Sequence, residues 1–280
     1  MGRSAAHAAI DLFGEGVDLA LLSRSAEQIL VGGRTYRTTT VDEIAAGRRP
    51  DVFVPTNFVT REFFFEFGES LFIAQNKKIV SSAVNNIRRI EPQSVVVISS
   101  GVTSKPHDPS KDQSYRAYRD MKLFELEQLK AVSDELGVPL IEARLYSASG
   151  KYMKSPELFA FGNIVKQARR GYVELTSSHE VWRKYIDAVD FMKVCLASAL
   201  AEKSRVVESG GFLVEVETFA SICLSLFGYA NDAIKRPRVS GTDDRYYSAS
   251  EEFELLAEEM GIALASLENQ ILTVSKLFER

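Results

Sequence analysis

One segment constrains the fold of this chain more than any other. Ser94-Val-Val-Val-Ile-Ser-Ser100 is an unbroken apolar run between two long helical patterns, residues 60–88 and 113–136. Such a run has no polar face, so it suits a strand covered on both sides, as in the middle of a parallel sheet. Shorter β-rich runs repeat the theme. Val17-Asp-Leu-Ala-Leu-Leu22, Gln28-Ile-Leu-Val31, Asp51-Val-Phe-Val54 (stopped by Pro55) and Pro139-Leu-Ile-Glu-Ala-Arg144 alternate with helical stretches at 4–14, 60–88 and 113–136. The expected fold class is α/β, with a doubly wound parallel sheet.

The second half changes character. Helices are expected at 158–170, 187–202, 217–227, 248–261 and from Leu264 to Phe278, with turns at Gly210-Gly211 and Gly228. The chain therefore divides into a sheet domain, 1–150, and a smaller helix-rich part, 151–280, with some segments returning to the sheet.

The chemistry gathers around the apolar run. Ser100 emerges at its C-terminal end, where open α/β sheets place their ligands. Tyr118 and Lys122 follow at a spacing of four, which puts phenol and ammonium on one face of the helix 113–136. A hydroxyl, a phenol and a lysine converging there make a proton-transfer device, because a nearby cation favours phenolate. The plainer alternative is a coincidence of spacing on a solvated helix face; among the tyrosines only Tyr118 has lysine at +4.

Composition excludes other classes. With net charge −4 there is no basic excess for nucleic acid. Cys195 and Cys223 lie in apolar helical patterns and read as core thiols of a reducing compartment. His7, His107 and His179 have no ligand spacing, so no metal site is expected. No apolar stretch reaches membrane-spanning length and no signal peptide is visible, so a soluble cytoplasmic protein is expected, with no membrane partner.

Taken in order, these segments resemble the extended short-chain dehydrogenases, the NAD(P)-dependent sugar-nucleotide epimerases, dehydratases and reductases. Val97-Ile-Ser-Ser100 resembles the strand carrying the family's serine, and Tyr118-x-x-x-Lys122 its catalytic pair. Asn76 sits where the family keeps a structural asparagine. Arg144-Leu-Tyr-Ser-Ala-Ser-Gly150 resembles an R-x-x-N-x-x-G segment, with Ser147 replacing asparagine. Arg183-Lys-Tyr-Ile-Asp-Ala-Val-Asp190 resembles R-D-Y-I-H-V-D-D, whose arginine grips a nucleotide diphosphate. The resemblance implies a Rossmann-like domain over 1–150 and a substrate part over 151–280.

One departure is large. The family opens with a strand and a G-x-x-G-x-x-G turn that holds a pyrophosphate at a helix N-terminus. This chain opens Met1-Gly-Arg-Ser-Ala-Ala, so Gly2 matches the third glycine, and the first strand and first two glycines are absent. Gly14 and Gly16 follow the helix and only turn the chain. A sequence truncated at its start is expected, ahead of a natural loss of the strand. The missing strand would lie between the runs at 17–22 and 51–54.

The resemblance implies hydride transfer at a sugar carbon, with Tyr118 as acid/base, Lys122 orienting the nicotinamide ribose and Ser100 bonding the reacting oxygen. Gly2, Ser23, Arg24 and Asn76 would join Tyr118 and Lys122 around the cofactor. Arginine with small hydroxyls at Ser23-Arg24-Ser25 suits a 2′-phosphate, so NADP is expected ahead of NAD; the alternative is a solvated surface arginine. Gly101-Val102 after Ser100 carry no proton, which disfavours dehydration. Reduction of a 4-keto-6-deoxy nucleotide sugar is expected, with 4-epimerisation as the alternative and a non-catalytic, cofactor-sensing relative as the reading of another class. Ser147, Arg183, Arg238 and Arg245 are the candidate contacts to a nucleotide-diphosphate sugar. The phenylalanine-rich helix at 60–88 implies a homodimer, as family members pair through it and the helix at 113–136.

Overall fold

A computed structural model describes residues 1–23, 27–47, 49–105, 110–201 and 203–279. The chain forms two compact units, Met1–Leu145 with Met192–Val207, and Tyr146–Phe191 with Glu208–Arg280. It is a mixed α/β protein of Rossmann-like type.

The first unit begins with helix α1 (Gly2–Phe13), strand β1 (Leu21–Leu22), β2 (Gln28–Val31), β3 (Arg34–Thr39) and helix α2 (Val41–Ala45). Then come β4 (Val52–Phe53), α3 (Arg61–Phe67), α4 (Glu69–Ile90), β5 (Ser94–Ser100), α5 (Gln113–Leu136) and β6 (Leu140–Leu145). β5 is buried along its whole length, as its composition requires. It pairs in parallel with β6, Val95 opposite Leu140 through Ser100 opposite Leu145, and with β4, Val52 opposite Ser94. Helices α4 and α5 cover it, packing Ile87, Leu129 and Val132 on Val95 and Val97.

Two expectations need correction, and one strand escaped the sequence. The strand at 17–22 shrinks to Leu21–Leu22, and it pairs with β3 in a separate three-stranded sheet, Leu21 opposite Thr38. β3 was hidden because Arg34-Thr-Tyr-Arg-Thr-Thr39 lacks apolar alternation; it closes on β2 through Gly32 and Gly33, both at positive φ (57° and 82°), as a tight hairpin needs. The helix at 60–88 is two helices, because Gly68 (φ 82°) breaks it between α3 and α4.

Helix α5 follows its signals closely. Asp112 caps it, accepting from Tyr115 N–H at 2.9 Å, and Gly137 ends it in the left-handed region. Hydrogen bonds from the Ser114 hydroxyl and from backbone hold the Asp112 carboxyl below its ordinary pKa, and Arg61 bonds both Asp112 and Ser114.

The second unit contains β7 (Ser147–Ser149), α6 (Ala160–Ala168), β8 (Val173–Glu174) and β9 (Val181–Asp187), which leads into α7 (Ala188–Ala199). α7 crosses into the first unit, and β10 (Arg205–Glu208) joins β6 as the sheet's far edge. β11 (Phe212–Glu215), α8 (Val216–Leu226), β12 (Ile234–Lys235), β13 (Asp244–Tyr246), α9 (Glu252–Glu259) and α10 (Leu267–Ser275) complete the unit. Its core is a triad of rings, Phe161, Tyr185 and Phe219, with centroids 4.7–5.1 Å apart. Cys195 and Cys223 are buried free thiols whose pKa values burial raises.

Candidate active site

Strand β5 and helix α5 build the site. Ser100 ends β5, 8% exposed, and its Oγ accepts from Val102 N–H at 3.5 Å as the chain turns. Lys122, one turn after Tyr118, points back to the strand and donates from Nζ to the Ile98 carbonyl at 3.0 Å. The structure thus brings Lys122 to the strand end that carries Ser100.

Lys122 has two further neighbours that sequence reading missed. Its Nζ donates to Glu125 Oε2 at 2.8 Å, and it stands 3.7 Å from the Phe58 ring centroid. Lys122 and Glu125 are 7% and 4% exposed. Burial raises the Glu125 pKa, and the Lys122 charge only partly opposes it. Burial and then the Lys122 charge lower the pKa of the Met1 α-amino group.

Tyr118 is half-buried and meets the same Phe58 ring edge-on, centroids 5.8 Å apart. Among the described residues its hydroxyl has no hydrogen-bond partner. The Tyr118 ring and the Lys122 ammonium therefore share one neighbour, Phe58. Phe58 lies in the irregular segment after β4, and its neighbour Val59 is gripped by Asn76. The Asn76 Oδ1 accepts from Val59 N–H at 3.0 Å, and Nδ2 donates to Val59 O at 3.2 Å. Asn76 is fully buried, so both ends of its amide serve this segment.

A second network underlies the strand end. Ser99 Oγ and Thr103 Oγ1 lie 3.0 Å apart, Thr103 donates to the Ser100 carbonyl at 2.8 Å, and Glu142 pairs with Arg144 at 2.9 Å beside them. The remaining cofactor candidates fall as follows. Gly2 opens α1, and a Cβ there would meet Thr56 Oγ1 at 2.9 Å, so helix and chain approach closely at a position that suits glycine. Ser23 follows β1 and donates its N–H to Thr39 O at 3.4 Å. Arg24 lies outside the described residues, as does His107.

The substrate candidates lie in the second unit. Arg183 on β9 bonds Asp244 Oδ2 at 2.6 Å and the carbonyls of Trp182 and Asp244 at 2.8 and 3.1 Å, with Tyr246 beneath its guanidinium. Arg245 is exposed and pairs with Asp243 at 2.9 Å, Arg238 is exposed, and Ser147 lies opposite Tyr185 on β7. The most buried arginine of this region is Arg236, bound to Glu215 at 3.0 Å and Glu217 at 2.9 Å and to the 177–179 backbone. Among the described residues there is no group of acidic, histidine or cysteine side chains that could hold a metal ion, and no helix long and apolar enough to cross a membrane.

The residues fit a nicotinamide dinucleotide in part. Lys122 stands at the end of β5 where such a group would need it, but Thr56 fills the space beside Gly2 and Phe58 covers the ammonium.

No protein-family profile and no curated protein sequence matches the chain. Solved structures do. A UDP-glucose 4-epimerase from Brucella ovis in complex with NAD superposes with TM-score 0.71 at 15% identity, covering 99% of this chain and 96% of that one. The enzyme of that name from Bifidobacterium longum, in complex with NAD+ and UDP, gives 0.69 at 16%, covering 97% and 94%. A dTDP-glucose 4,6-dehydratase from Streptomyces venezuelae, solved with NAD, gives 0.60 at 16%, covering 86% and 77%. The chain has the fold of these nucleotide-sugar enzymes.

Proposed function

We propose that the chain binds a nicotinamide dinucleotide and acts on a nucleotide-diphosphate sugar, moving a proton through Tyr118 during hydride transfer at a sugar carbon. One observation carries the reading: Lys122, a turn after Tyr118, bonds the end of β5 beside Ser100, within a fold whose solved neighbours include epimerases and a dehydratase with NAD. The dinucleotide would supply the hydride chemistry. Tyr118 would give its hydroxyl proton to the sugar oxygen during ketone reduction, or take it during alcohol oxidation, while Ser100 bonds that oxygen. Arg183 is the proposed diphosphate contact, by charge-assisted bonds in place of those it makes to Asp244.

Reduction of a 4-keto-6-deoxy sugar is the proposed reaction, with 4-epimerisation the alternative; the same three residues would serve both. The proposed cofactor is NADP, on the sequence Ser23-Arg24, and the neighbours' NAD makes that the second candidate. A non-catalytic ligand-sensing role is favoured by one observation, the engagement of Lys122 with Ile98, Glu125 and Phe58. We further propose a homodimer through α4 and α5, whose neighbourhood exposes Phe65, Phe67 and Leu71.

The deciding experiment offers NADH and NADPH with a panel of UDP- and dTDP-sugars, including 4-keto-6-deoxy forms. Net oxidation of cofactor with loss of the ketone marks a reductase. Inversion at C4 with no net cofactor change marks an epimerase. Dinucleotide binding without turnover marks a sensor, and absence of binding overturns the reading.

A further inference from the structure

We propose that Phe58 is a gate on Lys122, a ring that must swing aside before the ammonium can take a hydroxyl-bearing ligand. The inference rests on the dinucleotide reading above and adds what controls access to it.

An ammonium has three N–H bonds and no acceptor. At Lys122 one goes to the Ile98 carbonyl at 3.0 Å and one to Glu125 at 2.8 Å. The Phe58 ring, its centroid 3.7 Å from Nζ, takes the remaining side, well within the roughly 6 Å reach of a cation–π contact. No N–H is left for a ligand, and the ring is the contact that can be exchanged. The two oxygens belong to a central strand and a buried carboxylate, whereas Phe58 is half-buried on a segment with no regular structure.

The backbone beneath the ring does not share that freedom. Asn76 holds Val59 by both main-chain groups, so opening is a side-chain rotation rather than a loop movement. The same ring covers the flank of Tyr118. One rotation therefore lifts the cover from Lys122 and loosens a ring contact of Tyr118 together.

The chemistry of the ligand follows from Glu125. Lys122 is already charge-compensated by a carboxylate 2.8 Å away, so an anion would bring a second negative charge beside Glu125. A neutral oxygen acceptor suits the freed N–H better, in keeping with the ribose hydroxyls of the dinucleotide proposed above.

The test is a pulse of acetic anhydride with mass-spectrometric mapping of Lys122 against Lys130, an exposed lysine on the same helix. Lys122 in the native protein should label far more slowly than Lys130. Removing a ring that blocks Lys122 most of the time should raise access on the order of tenfold, so Phe58→Ala should label Lys122 about tenfold faster and bind NADH or NADPH about tenfold more tightly. Phe58→Leu, which keeps an apolar cover without the ring, should give a smaller rise; melting curves establish which variants fold. Unchanged Lys122 labelling in the folded variants overturns the gate. Faster labelling with no dinucleotide bound by any form keeps the gate and removes the dinucleotide reading. Protection of Lys122 by pyrophosphate as good as that by NADH overturns the preference for a neutral diol.

Discussion

Lys122 and Glu125, three residues apart on α5, form an ion pair of 2.8 Å with side chains 8% and 5% exposed. Burial dominates the pair, since the Glu125 pKa is raised despite the lysine. The sign for stability follows. A carboxyl whose folded pKa lies above its unfolded value binds more protons in the folded state, so its contribution is present in full below the ordinary carboxylate range and is lost as pH rises through the raised pKa. Glu125→Gln removes that loss. Its stability relative to the native protein should increase as pH rises from about 4 toward neutrality, as read by urea unfolding across that range. A constant difference would contradict the raised Glu125 pKa.

Lys122→Met leaves the carboxylate without its cation. Breaking a buried pair in this way costs about 3–5 kcal/mol. The cost should shrink at acid pH as Glu125 takes a proton, and the double variant with Glu125→Leu should recover most of it. Denaturant midpoints of the three proteins check this.

Tyr118→Phe removes only a hydroxyl that has no partner among the described residues. Melting should be unchanged, while turnover of a nucleotide sugar should fall by about two to four orders of magnitude. Native turnover in the variant would remove Tyr118 from the chemistry.

Asn76→Ala strands the N–H and carbonyl of Val59. Unpaired buried groups cost roughly 1–3 kcal/mol each, so destabilisation of about 3 kcal/mol is expected by urea titration. Hydrogen exchange at the Val59 amide should accelerate in parallel.

Arg183 and Asp244 make opposite predictions for substrate. Arg183→Ala should raise the Michaelis constant for the nucleotide sugar, whereas Asp244→Asn frees the guanidinium from a competing carboxylate and should lower it. Steady-state kinetics of both variants decide whether this arginine meets a diphosphate; two unchanged constants would make it a structural ion pair.

The proposed dimer is tested by light scattering at micromolar concentration. Phe65→Glu and Leu71→Glu should shift it toward monomer if those exposed side chains are covered by a second copy. A monomeric native protein ends that proposal.

Much of the framework was legible in the sequence because it is written in local signals. β5 is an apolar run and α5 is bounded by Asp112 and Gly137, so their limits read almost to the residue. Where tertiary pairing decides, the reading faltered: β3 is polar and becomes a strand only against β2, and the stretch 60–88 reads as one helix although Gly68 breaks it. In the site, the spacing of Tyr118 and Lys122 was visible. Glu125 was not distinguished from the other acidic residues of α5, although its place three residues from a lysine on the buried face was a usable signal. Phe58 sits in a segment with no periodicity, and only the fold brings it to Lys122.

The Asn76 clamp has a consequence for how this protein could change. A side chain that binds main-chain atoms is indifferent to whichever side chains hang beside them. Position 58 is therefore anchored whatever residue it carries. Access to Lys122 can be widened or narrowed by a single codon while the scaffold stays fixed, so mutation could tune ligand admission in this lineage without disturbing the architecture that holds the site.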